Sequence, residues 1–193
     1  MSHIILASAS PRRKELLEQV KLSFEIRVSS CEEIITTTIP HEIVMELSDQ
    51  KATDISLNLS SSEKKDCYII GADTIVAIDD HILGKPSSPE EAYEMLRMLS
   101  GNIHQVYTGV TVRQGDKVLS AAECTDVRFR KLSGKEIDAY IATGEPMDKA
   151  GAYGIQGVAC LFVEGIEGDF FNVMGLPVCR LGKMLKELGV ELL

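Results

Sequence analysis

The sequence predicts a mixed α/β fold. Short apolar runs of strand length alternate with segments whose apolar residues recur at helical spacing. Several of those segments open on a serine next to a proline, or on a serine followed three residues later by glutamate, both of which mark helix starts. Two long strand-like segments lie back to back around Gln114-Gly115-Asp116, which adds a meander to the alternation.

Element by element, Ile4–Ala7 is the first strand. Ser10 caps a helix that carries Pro11 at its first position and runs to about Val20. Phe24–Val28 is a strand, and Pro40 opens a long helix to about Leu59. The polar stretch Ser60–Asp66 is expected as a surface loop. Cys67–Ile78 is a near-continuous apolar run, the mark of a buried strand. Asp79-Asp80-His81 turns the chain, and Ile82-Leu83-Gly84 returns. Ser88-Pro89-Glu90-Glu91 starts a helix as a capping box, and Gly101 ends it. Strands follow over about His104–Arg113 and Val118–Arg130. Ser133 and Glu136 form a second capping box for a helix ending near Gly144. Pro177 begins the last helix and Gly189 stops it.

With 193 residues the chain fits one large domain or two lobes sharing a core. No apolar stretch is long enough to span a bilayer, and no basic-then-apolar leader opens the sequence, so an unexported, cytoplasmic protein without membrane partners is expected. Five widely spaced cysteines contain no C-x-x-C pair, which argues against a disulfide framework and a zinc knuckle. The four histidines lack metal-ligand spacing. A net charge of −9 with no basic stripe excludes a general nucleic-acid binder. It also means that any anionic substrate needs a site that is locally basic or holds a metal.

Four places carry chemistry. The first is the turn Ser8-Ala9-Ser10-Pro11-Arg12-Arg13. Strand, polar turn and helix N-terminus collect phosphate, because free backbone N–H groups and the helix dipole point at it. Arg12 and Arg13 in the first helical turn oppose that dipole, at roughly 0.3–1 kcal/mol each, and an anion would reverse the penalty. The alternative is a solvated arginine pair. The second is Asp73, alone in the apolar strand Ile69–Val76. A carboxylate there needs a partner, a metal or a catalytic task.

The third is Lys51, which falls in the stripe of Val44, Leu47, Ile55 and Leu59. It either points into a cleft or snorkels from the stripe edge. Lys85, beyond the hairpin, returns opposite the neighbourhood of Asp73 if the turn centres on Asp80. The fourth is Gly151–Gly157, where dense glycines permit tight turns and close approach to a ligand, or simply build a structural loop. Gln156 at its apex offers a donor and an acceptor to a base edge.

Together these segments resemble the Maf family, named for inhibition of septum formation. The matching runs are Leu6–Arg13, Gly71-Ala72-Asp73-Thr74, Gly84-Lys85-Pro86, Asp148–Gly157 and Gly175-Leu176-Pro177, in family order over essentially the whole chain. The resemblance implies one Maf-like domain over residues 1–193. Its fold would be an elongated, twisted mixed sheet flanked by helices in two lobes with a central cleft, as in inosine triphosphatases. It implies a nucleoside triphosphate pyrophosphatase with a divalent metal, Mg²⁺ or Mn²⁺, and a homodimer.

Carried over by motif, Asp73 is the catalytic acid that activates water or holds metal. Ser8, Arg12, Arg13, Lys51 and Lys85 match substrate-binding positions, and Glu33 matches an acidic position near the metal. Cys31-Glu32-Glu33 departs from the pattern in its flanks and offers Glu32 as well. Thr74, Arg13 and Gln156 match positions tied to base choice, and the Asp-Thr and Ile-Gln-Gly forms resemble the branch acting on dTTP and UTP. Two other readings remain: a housecleaning pyrophosphatase for modified nucleotides, and a non-catalytic nucleotide-binding regulator of division.

Overall fold

Strand β1 (His3–Leu6) pairs in parallel with β2 (Glu25–Ile26) on one side and with β3 (Cys67–Ile78) on the other in the computed structural model, which describes residues 3–192. Among the described residues β4 (His81–Leu83), β5 (Ile103–Gln114), β6 (Lys117–Phe129) and β7 (Val163–Glu167) complete a mixed seven-stranded sheet. Its order is β2-β1-β3-β5-β6-β7, with β4 paired to β3. The helices are α1 (Pro11–Gln19), α2 (Pro40–Leu57), α3 (Ser61–Asp66), α4 (Pro89–Leu99), α5 (Gly134–Ile141), α6 (Phe170–Met174) and α7 (Val178–Glu187). The fold class is therefore the mixed α/β class that the alternation predicts.

The chain divides into two compact units: Met1–Asp73, Thr108–Glu123 and Gly175–Leu193 in one, Thr74–Tyr107 and Cys124–Met174 in the other. In the first, Ile5, Ala7, Ala52, Ile55, Leu59, Cys67 and Ile69 form a buried apolar cluster under β1 and β3. Helix α2 lies unusually close to the strands. A Cβ added at Gly71 would collide with the carbonyl oxygen of Ser48, and one added at Gly109 with that of Val44. Polar contacts fix the same helix: Ser48 Oγ lies 2.9 Å from Thr111 Oγ1, and Arg113 Nη2 donates to Asp49 at 2.9 Å.

In the second unit α4 packs on α5 and on the 3₁₀ turn Ala150–Ala152. The aromatic rings of His104, Phe129, Tyr140, Tyr153 and Phe162 stack edge to face in its core.

Four expectations need correction. Ser60–Asp66 is not a loop. Residues 61–66 are helical, because Ser60 accepts from the Glu63 N–H and Glu63 from that of Ser60, a full capping box on a polar segment. Ser10 stands at the N-cap of α1 but makes no side-chain cap; its own N–H donates to Ser8 Oγ at 3.2 Å. Ser88 caps Glu91 as expected, yet the Glu91 carboxylate bonds Ser87 instead, so the box closes one residue early. The hairpin turn is Asp79-Asp80, with Ile78 paired to His81, and pairing ends at Val76 with Leu83, two residues short of Lys85. Strand β7 and helix α6 are elements that the sequence pattern does not predict.

Candidate active site

Strand β1 ends in a polar turn before the first turn of α1, and Arg13 leaves that turn facing inward. The residue is only 8% exposed. Its Nε donates to the Gly175 carbonyl at 2.8 Å and its Nη1 to Ser8 Oγ at 3.0 Å. Gly175 holds φ at +109°, a region that suits glycine, so the residue type that can present this carbonyl is restricted. Burial pushes the Arg13 guanidinium down from its usual value, while the charges of Asp73 and Glu33 pull it back up. Arg12, one position earlier, is half-buried.

Asp73 is the last residue of the first unit's share of β3, and its side chain is 15% exposed. Lys51, on α2, reaches it: Lys51 Nζ donates to Asp73 Oδ1 at 2.5 Å. The same ammonium lies 2.9 Å from Glu33 Oε1. The inward stripe of α2 therefore delivers a lysine to a carboxylate, not to the stripe edge. Close approach at Gly71 makes the reach possible, since Ser48, the residue facing Gly71, lies one helical turn before Lys51.

Glu33 is the glutamate that joins this group, through its ion pair with Lys51. The segment that carries Glu33 has no regular structure between β2 and α2. Side chains of α2 hold it. Asp54 accepts from Ser29 Oγ at 2.8 Å and from the Ser30 N–H at 2.9 Å. Gln50 bonds both polar groups of the Ile34 backbone, Glu46 bonds Thr36 and Glu42 bonds Thr37. None of these holding residues was picked out from the sequence, although their spacing along α2 is readable there.

In the second unit Thr74 is half-buried on β3, and Lys85 and Gln156 are exposed. The Gln156 loop is braced from behind. Glu145 accepts from Tyr140 Oη at 2.8 Å and from the Val158 N–H at 3.0 Å, and the Tyr140 hydroxyl accepts from the Gly154 N–H at 3.2 Å. Gly157 leaves the space that the Glu145 carboxylate fills. Sequence reasoning missed Glu145 because nothing local ties it to a loop a dozen residues on.

Among the described residues no three His, Cys, Asp or Glu side chains gather into a metal cage. Asp73 and Glu33, drawn to one ammonium, nonetheless form a pair of hard oxygen donors. That suits a hard divalent cation, which can bind through one or two carboxylates and take further ligands from substrate phosphates. No helix among the described residues is long and apolar enough to cross a membrane.

The family model described as Maf-like protein matches residues 3–188. The dTTP/UTP pyrophosphatase of Agathobacter rectalis is 50% identical over 204 residues, covering 99% of this chain and all of the relative. That of Bacillus cereus is 51% identical over 192 residues, covering 99% of this chain and 98% of the relative. That of Bacillus anthracis is 50% identical over the same length. A solved structure of the Staphylococcus aureus Ham1 protein aligns with a TM-score of 0.49 at 12% identity, covering 96% of this chain and 99% of that one. With a family model spanning nearly its whole length, and relatives sharing half its residues, this chain belongs to the Maf-like family.

Proposed function

We propose that this protein is a nucleoside triphosphate pyrophosphatase that cleaves dTTP and UTP to the monophosphate and pyrophosphate. The observation that carries the reading is the meeting of Asp73, Glu33 and Lys51, whose two carboxylates also act on the charge of the buried Arg13. It sets two cations, Lys51 and Arg13, against two carboxylates in an acidic chain, one of which is able to take a proton. The relatives bear the name dTTP/UTP pyrophosphatase at about half identity, which supports the choice of substrate.

Water attacks the α-phosphorus in line. A new P–O bond forms, the bond from the α-phosphorus to the bridging oxygen breaks, and pyrophosphate leaves with its electron pair. Asp73 accepts the proton of the water. Arg13 and Lys51 hold phosphate oxygens and offset the charge that develops on them. Ser8 orients Arg13, and Arg12 adds charge at the helix N-terminus. Asp73 and Glu33 would hold Mg²⁺ or Mn²⁺; when bound, the ion neutralises charge on the phosphates. For the second unit the proposal is by residue alone: Lys85 contacts phosphate, and Thr74 and Gln156 take part in base choice. The whole chain acts as one functional domain, in the cytoplasm, as a homodimer.

A panel of common and base-methylated nucleoside triphosphates with Mg²⁺ tests the substrate. Turnover is expected to be highest on dTTP and UTP. Equal rates across the panel would defeat the selectivity. Faster turnover of a methylated base would make the enzyme a housecleaning one.

A further inference from the structure

Glu33 has about half its side chain exposed and sits on a segment without helix or strand, so burial does not place it. Helix α2 does. Glu42, Glu46, Gln50 and Asp54 recur every four residues and so form one slanting column along the helix. They bond, in reverse order along the chain, Thr37, Thr36, Ile34 and the Ser29-Ser30 pair. Four helical residues rise about 6 Å, close to the length of two extended residues, so successive members of the column reach successive stretches of an antiparallel strap, though at uneven steps along it.

Within that column Gln50 differs in chemistry. The three carboxylates only accept, whereas its amide accepts and donates. Gln50 Oε1 accepts from the Ile34 N–H at 2.9 Å, and its Nε2 donates to the Ile34 carbonyl at 2.6 Å. The residue next to Glu33 is thereby fixed in both position and orientation. The residue next to Gln50 is Lys51, which binds the Glu33 carboxylate. Adjacent helix residues thus hold the strap by its backbone and the acid by its tip.

We infer that Gln50 is a positioning residue for Glu33: it sets the carboxylate where the divalent cation is held, without touching substrate or ion. The inference rests on the proposed role of Glu33 in the site. Its test compares Gln50→Ala, Glu33→Gln and the double variant in the full-length protein. Three quantities are measured: amide hydrogen exchange over residues 32–36, binding of Mn²⁺ by electron paramagnetic resonance with a non-hydrolysable dTTP analogue, and the Mg²⁺ concentration for half-maximal dTTP turnover.

Gln50→Ala should speed exchange at Ile34, weaken Mn²⁺ and raise the Mg²⁺ requirement about 10-fold or more, the scale of losing an outer-sphere support. Turnover at saturating Mg²⁺ should change little. Gln50→Glu, which keeps the acceptor but not the donor, should fall between. In the Glu33→Gln background, Gln50→Ala should add nothing to either metal measurement. Unchanged Mn²⁺ binding in Gln50→Ala, beside an altered Glu33→Gln, overturns the inference alone. So does a Gln50→Ala effect that multiplies fully onto Glu33→Gln, which would mark general structural support. Normal metal dependence in Glu33→Gln overturns the assigned role of Glu33, and the inference with it.

Discussion

Lys51 Nζ lies 2.5 Å from Asp73 Oδ1, and both side chains are about five-sixths withdrawn from solvent, at 16% and 15% exposure. Removing either partner leaves a partly buried charge. Lys51→Met should therefore destabilise the fold by about 1–3 kcal/mol, below the cost of breaking a fully buried pair. Asp73→Asn should keep the fold and lose on the order of 10²–10⁴-fold in turnover, the span of a lost general base. Thermal denaturation and steady-state kinetics on dTTP check both. Near-normal activity in Asp73→Asn would remove Asp73 from the chemistry.

Gly71 has no room for a side chain because Ser48 presents its carbonyl there. Gly71→Ala must move α2 away from β3, at about 1–3 kcal/mol for overpacking. Since Lys51 rides on the same helix, turnover should fall along with stability. A variant that loses stability but keeps full kcat would show that the Lys51 position tolerates helix displacement.

Arg13 uses its Nε and Nη1 on two different acceptors, the Gly175 carbonyl and Ser8 Oγ. Lysine has one nitrogen and no fork. Arg13→Lys is expected to raise KM for dTTP at least 10-fold, about 1.4 kcal/mol, while retaining the charge. An unchanged KM would show that charge alone suffices.

His104 is fully buried, with Nε2 2.8 Å from the Tyr153 hydroxyl and no partner on Nδ1 among the described residues. Burial pushes its pKa from 6.5 down to about 4, against an opposing pull from Asp126. The unfolded chain takes up this proton first as pH falls. The contribution of His104 to stability is therefore fully present above pH 6.5 and is lost between there and pH 4. At 1.36 kcal/mol per unit the loss reaches about 3 kcal/mol. His104→Gln should flatten the decline of stability over that window, read from urea melts at several pH values; an identical slope would clear His104 of the effect.

Much of this was legible in the residues. Cys67–Ile78 was bounded correctly as a strand because its apolar run is continuous. Strand β7 was not, because Glu164, Gly165 and Glu167 interrupt a short segment that is largely exposed. Helix α3 was missed on its polarity, although Ser60 and Glu63 repeat the spacing that was read correctly at Ser133 and Glu136. Asp73 and Lys51 stood out as single charges in apolar patterns. What no local pattern could show is contact at a distance: the Gly175 carbonyl that turns Arg13 inward, the glycines that let α2 approach, and the α2 column that brings Glu33, not Glu32, to Lys51.

The central claim is the bond that breaks. Phosphorus-31 spectra of dTTP incubated with the protein and Mg²⁺ test it directly. The account expects dTMP and pyrophosphate in equal amounts from the wild type, and almost none from Asp73→Asn. Accumulation of dTDP with orthophosphate would contradict it.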